Sequence, residues 1–395
     1  MMKLYEGDCL EVLKDSSSNF FDTIITDPPY GLSFMGKDWD YGIPGVRFWK
    51  EFLRVCKPGA FALVFGSTRT HHRLTCAIED AGWEIRDCMM WLYGSGFPKS
   101  LDISKAIDRR KGKKRKNVIG KYEGPAGYKK AGRGPKTCKR NNWTPAGETN
   151  WGREILEPVS KLAKLWDGYG TAFKPSWEPI IVAMKPLDGT FAQNAEKWDI
   201  AGLNIDGARI GIEQITINRH GGYNSFSLVE STKGKWQGKQ AQAQGRWPAN
   251  LILDEEAAKM LDEQSGISKP KQARKGKRGG KGFGFFNDEK SKNKEGIWPK
   301  DMGGGASRFF YCAKASKSER GDYNNHPTVK PLSLMEYLCK LTKTPTGGIV
   351  LDPFSGSGTT GIACHETGRD FVLIEKESNY CEIARNRLKS VGIVV

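Results

Sequence analysis

Two stretches, and the alternation of elements around them, predict an α/β fold built on an open sheet. In the first, the run Asp22-Thr23-Ile24-Ile25 reads as a buried strand that ends abruptly in Thr26-Asp27-Pro28-Pro29-Tyr30. In the second, Gly348–Leu351 reads as a strand entering Asp352-Pro353-Phe354-Ser355-Gly356-Ser357-Gly358-Thr359-Thr360-Gly361, which leads into a helix. Proline cannot continue a ladder, so Asp27 and Tyr30 project from the carboxyl edge of the sheet. In open α/β folds that edge is where ligands sit.

The other elements follow from local pattern. Leu4 to Asp8 reads as a short strand, Leu10 to Lys14 as a brief helix, and Gly31 to Gly45 as a loop over a site. Phe48, Phe52 and Val55 share a helical spacing that Lys57-Pro58-Gly59 stops, and Ala60–Phe65 is a buried strand. A helix is expected around His72–Ala81 and a strand over Trp83–Tyr93. From Arg109 to Arg140 the chain is rich in Lys, Arg and Gly, with Glu123 as its only acid, and reads as a loop or disordered arm. Order is expected again near Trp166, with a strand over Trp177–Met184. Residues 187 to about 325 read as a second region. It holds a strand at Leu251–Leu253 and glycine- and lysine-rich loops over 232–246 and 270–305, where Trp236, Phe283, Phe285, Phe286 and Trp298 lie among cations. Lys330-Pro331 opens a helix with Leu334, Tyr337, Leu338 and Leu341 on its apolar face. Phe371–Ile374 is a strand ending at Glu375, and Tyr380 to Leu388 is a closing amphipathic helix.

Composition narrows the partners. Across 395 residues, 62 Lys and Arg against 45 Asp and Glu give a net charge of +17, which favours a polyanion, nucleic acid above all. Nine cysteines without a C-x-x-C indicate neither a zinc ribbon nor a thioredoxin-like site, and suit reduced thiols in a cytoplasm. The start, Met1 to Asp8, lacks the apolar core of a signal peptide, and no apolar run approaches the ~18 residues of a membrane span. A soluble, cytoplasmic, nucleoid-associated protein without a membrane partner is expected. His71 and His72 complete no metal-ligand spacing, so no metal is expected, and the absence of G-x-x-x-x-G-K-[ST] leaves an ATPase unsupported.

The chemistry of the two stretches is complementary. Asp27, a freed carbonyl of Pro28 and the flat face of Tyr30 can grip a planar ring that carries an exocyclic amine; carboxylate and carbonyl accept its two N–H bonds. Gly356-x-Gly358-x-x-Gly361 satisfies the dinucleotide fingerprint, with Glu375 near the distance for a ribose hydroxyl, so a nicotinamide oxidoreductase is a rival. Asp352 at the strand tip would repel a pyrophosphate and attract an ammonium, and only one more strand and helix follow. An adenosyl ligand with a cationic amino-acid tail fits better, with Asp352 at the amine and Glu375 at the ribose hydroxyls.

Asp27-Pro28-Pro29-Tyr30 together with Asp352-Pro353-Phe354-Ser355-Gly356-Ser357-Gly358-Thr359 resembles the amino-group DNA methyltransferases that use S-adenosylmethionine. Because the catalytic tetrapeptide precedes the cofactor loop, the chain resembles their permuted β group, and phage- and prophage-borne members in particular. Gly7-Asp8, Glu178-Pro179, Lys185-Pro186, His326-Pro327-Thr328-Val329-Lys330-Pro331, and Glu375 with Tyr380 are further matching pieces. The resemblance implies a circularly permuted Rossmann-like sheet: a catalytic part over 1–186 with a basic insertion at about 109–165, a target-recognition region over 187–325, and a cofactor-binding part over 326–395. It implies that Asp27, Pro28, Pro29 and Tyr30 are catalytic. Asp8, Cys9, Lys330, Asp352, Pro353, Phe354, Ser355, Gly356, Gly358, Thr359 and Glu375 would hold S-adenosylmethionine, with Asp8 at the adenine amine of the cofactor. The substrate implied is double-stranded DNA, with adenine N6 favoured because the tetrapeptide begins with Asp, where cytosine-N4 members more often carry Ser. Cytosine N4 stays open, as do a catalytically inactive DNA-binding protein, a homodimer and a cognate restriction endonuclease. Lys111, Lys113, Lys114, Arg115 and Lys116 are expected to meet DNA phosphates.

Overall fold

A computed structural model describes residues 1–32, 42–94, 96, 100–121, 154–218, 240–270, 274–277, 295–298, 303–313 and 329–395. Most of the expected site loop (33–41), the basic stretch 122–140, Trp236, Phe283, Phe285, Phe286 and His326-Pro327-Thr328 lie outside the described residues.

In chain order the elements are β1 (Met2–Glu6), α1 (Cys9–Lys14), β2 (Phe21–Thr26), α2 (Val46–Val55), β3 (Cys56–Phe65), α3 (His71–Asp80) and β4 (Glu84–Leu92). Then come α4 (Ile103–Arg110), β5 (Val118–Lys121), β6 (Glu154–Leu156), α5 (Lys161–Leu165), β7 (Trp177–Met184), α6 (Phe191–Trp198), β8 (Ile210–Asn218) and β9 (Gln240–Arg246). The rest are β10 (Leu251–Asp254), α7 (Glu255–Ser265), β11 (Arg274–Lys277), β12 (Glu295–Trp298), β13 (Tyr311–Ala313), α8 (Leu332–Leu341), β14 (Ile349–Asp352), α9 (Thr359–Glu366), β15 (Asp370–Glu375) and α10 (Ser378–Ser390). The chain forms two compact units, one of Met1–Ser95 with Ser176–Val395 and one of Gly96–Pro175.

The first unit is organised on a nine-stranded sheet of order β1-β15-β14-β2-β3-β7-β4-β10-β13. Every pairing is parallel except the two made by β7, which runs against β3 and β4. Strands β14 and β15, from late in the chain, lie between β1 and β2. That order carries Glu6, Thr26, Asp352 and Glu375 to one carboxyl edge.

Side-chain alternation explains why the sheet is covered on both faces. Ile24, Ala62 and Val64 pack with Leu13, Trp49, Phe52, Leu74 and Ile78 of α1, α2 and α3. Their neighbours Ile25, Phe61, Leu63 and Phe65 face Leu334, Leu338, Ile362 and Leu388 of α8, α9 and α10. All four residues expected on the apolar face of α8 are buried. Arg369, 2% exposed, ties this packing together by donating to Cys339 O, Thr342 Oγ1 and Thr23 Oγ1.

Three expectations are corrected. β3 begins at Cys56, not Ala60, so Lys57-Pro58-Gly59 ends α2 yet stays in the strand, with its register against β2 broken between Phe21 and Thr23. Within residues 187–325, apolar β10 and β13 extend the large sheet beyond β4, and β9, which pairs with β8, and the paired β11 and β12 fall inside stretches read as loops. The Arg109–Arg140 stretch is not wholly a loop, since α4 reaches Arg110 and β5 follows at Val118.

In the second unit, β6 precedes Trp166 and pairs with β5. Asp108, 1% exposed, organises this unit. Its carboxylate accepts from Val159 N, Ser160 N, Ser160 Oγ and Arg115 Nε at 2.8–3.0 Å. Burial alone would raise its pKa, and these donors hold it below the usual carboxylate range.

Candidate active site

The tetrapeptide after β2 becomes a charged cluster through residues far away in sequence. Asp27 Oδ1 accepts from Tyr30 Oη at 2.6 Å, and Asp27 Oδ2 accepts from Lys330 Nζ at 2.6 Å. Lys330 also lies 3.2 Å from Tyr30 Oη and 3.3 Å from Glu178 Oε2. Its ammonium sits 4.8 Å from the centre of the Phe65 ring and 5.5 Å from that of Tyr30. Burial opposes the charge on Lys330, but Asp27 and Glu178 outweigh it and hold the pKa above the ordinary lysine value. Burial, with the same two carboxylates, pushes the Tyr30 phenol well above 10, so Tyr30 is a neutral donor at any physiological pH. Thr70 Oγ1 donates to Tyr30 O at 2.8 Å and fixes the turn.

Beside it lies the glycine turn. Asp352 ends β14 and is 2% exposed; it accepts from Thr26 Oγ1 at 2.6 Å, Thr360 Oγ1 at 2.5 Å and Phe354 N at 3.2 Å. Despite these donors, burial and then the nearby Asp27 charge push its pKa up to about 6. Glu375 ends β15 and accepts from Gly356 N at 2.7 Å and Glu377 N at 2.8 Å; burial pushes it up to about 7. Gly358 has φ +77°, and a Cβ there would stand 3.0 Å from Ala384 Cβ, so the turn needs glycine on both counts. Ser355 Oγ is buried and has no partner. An unpaired buried hydroxyl and two buried carboxylates of raised pKa are the groups that a ligand bearing hydroxyls and an ammonium would satisfy.

Several expected cofactor residues have other partners. Lys330 joins Asp27 and Glu178, because Lys330 precedes α8 and that helix packs under β2 and β3. Cys9 is 4% exposed, its thiol is pushed up to about 12 by burial, and its side chain belongs to the core. Thr359 Oγ1 accepts from Arg387, which also holds Ser357. Phe354 packs edge-on to Phe52 at 6.0 Å, and Pro353 is buried. Asp8 caps α1 by accepting from Leu10 N at 3.0 Å and meets Lys376 at 3.3 Å. In the second unit, Lys111, Lys113, Lys114 and Lys116 are exposed, but Arg115 is committed to Asp108 and Ser104. The acid that pairs it lies one residue before the run begins.

Thr26, Thr360 and Glu178 join the site although sequence reasoning gives them no role in it. Glu178 carries two signals, an acid before a proline at the start of a strand and a place among the pieces that match the family, but neither points to Lys330. Only the antiparallel course of β7 puts the beginning of that strand at the edge where the parallel strands end.

Two carboxylate-centred sites thus adjoin, joined by the Thr26–Asp352 hydrogen bond, at one edge of a mostly parallel sheet. By their chemistry one half suits an amine and the other a cationic nucleoside-like ligand. The profile of the N6/N4 DNA methylase family matches residues 21–386, and the chain belongs to that family. It is 48% identical over 65 residues to the type II methyltransferase M2.DpnII of Streptococcus pneumoniae, and 45% identical over 67 residues to the DNA adenine methyltransferase YhdJ of Escherichia coli K12. The matched stretches take in 16% and 17% of this chain and span 24% and 22% of those relatives' lengths. Among solved structures, the cytosine-N4-specific PvuII DNA methyltransferase is similar over 99% of this chain and 87% of that one, at 14% identity and a TM-score of 0.44. No helix among the described residues is long and apolar enough to cross a membrane.

Proposed function

We propose that the chain transfers a methyl group from S-adenosylmethionine to the N6 amine of adenine in DNA. The observation that carries the reading is the adjacency of Asp27 and Asp352 through Thr26. It sets an amine-gripping carboxylate beside a turn fit for a nucleoside with an ammonium tail. Bound at the turn, S-adenosylmethionine would supply an electrophilic methyl group with a neutral thioether as its leaving group. Glu375 would take the ribose hydroxyls, Ser355 Oγ a polar group of the ligand, and Asp352 its ammonium beside the threonine hydroxyls; Asp8 is the proposed partner of its adenine amine. Asp27 and the Pro28 carbonyl accept the two N–H bonds of the target amine and aim its lone pair, so positioning supplies much of the rate. The base must leave the duplex at a cost of a few kcal/mol, and stacking on Tyr30, worth roughly 1–3 kcal/mol, offsets part of it.

Adenine is favoured over cytosine by Asp27 at the head of the tetrapeptide, and the E. coli relative is named an adenine methyltransferase. Mass spectrometry of nucleosides from DNA treated with the protein should show N6-methyladenine. N4-methylcytosine would overturn the base assignment. Calorimetry should show binding of S-adenosylhomocysteine and none of NAD; binding of NAD alone would replace methyl transfer by hydride transfer.

DNA is gripped, in this reading, by the Gly96–Pro175 unit. It carries 20 Lys and Arg against 7 Asp and Glu, a net +13 of the chain's +17. Lysines 111, 113, 114 and 116 have no acid to settle on within the run, whereas Arg115 is structural. Replacing Lys111, Lys113, Lys114 and Lys116 by Gln should weaken binding to all duplexes about equally. The slope of log affinity against log salt should flatten by about 0.9 for each phosphate that the variant no longer neutralises. The methylated motif should not change. Identical slopes for variant and parent would assign the run to solvent.

A further inference from the structure

We propose that Glu178 is a positioning residue for methyl transfer, drawing the Lys330 ammonium off Asp27 so that Asp27 keeps an acceptor for the target amine. The inference rests on the methyltransferase reading and concerns a residue that neither tetrapeptide nor glycine turn contains.

Lys330 is 8% exposed and reaches two carboxylates, Asp27 at 2.6 Å and Glu178 at 3.3 Å, with the Tyr30 hydroxyl at 3.2 Å. An ammonium has three N–H bonds, and these three oxygens can take one each. Each Asp27 oxygen already carries one donor, Tyr30 on Oδ1 and Lys330 on Oδ2, so an incoming amine must bond beside one of them, and the cation is the stronger competitor for the carboxylate's charge. Without Glu178, the full attraction of a nearly buried cation would fall on Asp27. With it, the ammonium has a second carboxylate to lean on as the substrate amine arrives.

Charge leads to the same conclusion. Asp27, Glu178 and Lys330, with neutral Tyr30, sum to one negative charge. In the transfer the amine nitrogen forms the new C–N bond as the S–C bond breaks. Positive charge passes from sulfur, left as a neutral thioether, to nitrogen, which then sheds one N–H proton to solvent. A cluster with one net negative charge favours the nitrogen as it becomes cationic. Glu178→Gln makes the cluster neutral.

The test is a set of single-turnover methylation rates on DNA that the parent modifies, with S-adenosylhomocysteine affinity measured beside each. Glu178→Gln should slow methyl transfer on the order of 10²-fold, the size of effect seen when one electrostatic partner of a reacting group is lost. Cofactor affinity should stay within about twofold, since Glu178 touches nothing in the glycine turn. Glu178→Asp should keep most of the rate. Adding Lys330→Met to Glu178→Gln restores one net negative charge and should regain a large part of the loss, which a merely structural role for Glu178 would not give. Should Glu178→Gln not fold, the double variant against Lys330→Met alone carries the same comparison, the two differing by less than tenfold. A Glu178→Gln rate near the parent's, or a double variant no faster than Glu178→Gln, overturns the inference while leaving methyl transfer standing. A parent that methylates no base overturns the reading beneath it.

Discussion

Asp27→Ala should abolish methyl transfer, lowering the single-turnover rate by roughly 10³-fold or more while leaving cofactor affinity within a few-fold. The size follows from what the carboxylate does in the proposed reaction. It both holds the amine in line and faces the charge that develops on it, and each role alone is worth orders of magnitude. Asp27 touches none of the glycine-turn residues directly; it acts on them only through its charge, which helps to raise the Asp352 pKa. The substitution strands partners, however. Lys330 is left with Glu178 as its carboxylate, and the Tyr30 hydroxyl loses its 2.6 Å acceptor. Asp27→Asn, which keeps the shape and one acceptor oxygen, is therefore the companion variant, and it should be nearly as inactive with a smaller loss of stability. Tyr30→Phe keeps the stacking face but loses the hydroxyl that orients Asp27, so it too should cost rate, by at least about tenfold, as for loss of an active-site hydrogen-bond donor. An Asp27→Ala protein that still methylates at a tenth of the parent's rate would remove Asp27 from the chemistry.

Asp352→Asn should trade cofactor binding for stability, with a sign that depends on pH. Asp352 is 2% exposed and its carboxyl is pushed up to about 6 from 3.8, so the folded protein resists its ionisation. A raised carboxyl contributes stability that is fully present below the unfolded pKa near 4 and is lost as pH rises through about 6. The difference corresponds to about 3 kcal/mol at neutral pH. Unfolding of the ligand-free parent should thus become easier between pH 4 and 7, and Asp352→Asn should lose much of that slope. Glu375, pushed up to about 7 by burial, contributes in the same direction and keeps part of it. An ammonium-bearing ligand prefers the ionised carboxylate, so S-adenosylhomocysteine affinity of the parent should rise over the same interval. In Asp352→Asn that rise should shrink and affinity at pH 7.5 should fall by about 10- to 10²-fold, the range for losing a hydrogen bond between charged partners. Equal pH slopes for the parent and Asp352→Asn would show that this carboxyl carries no such load.

Most elements of the large sheet were legible because their signals are local. Phe21–Thr26, Trp177–Met184 and Asp370–Glu375 are short apolar runs with turn or proline boundaries, and α8 shows its buried face in the spacing of Leu334, Tyr337, Leu338 and Leu341. The placement of the two stretches was legible for the same reason: one strand stops before Asp-Pro-Pro-Tyr and another at Asp before a glycine turn.

Which charges meet follows from assembly. Local pattern puts Asp27 and Asp352 at the ends of strands on one edge of the sheet. It carried no sign that Lys330, about 300 positions from Asp27, would leave the glycine turn for that carboxylate, or that Glu178 would share it. That depends on strand order and on the single reversed strand β7, and both are settled by how apolar faces pack across the whole sheet. Likewise Arg115 reads as one cation in a run of like neighbours until the fold of the small unit buries Asp108 against it. Local pattern sets each element because its backbone and burial needs are met within a few residues. A buried charge finds its partner through space, and space is assigned only when the elements are assembled.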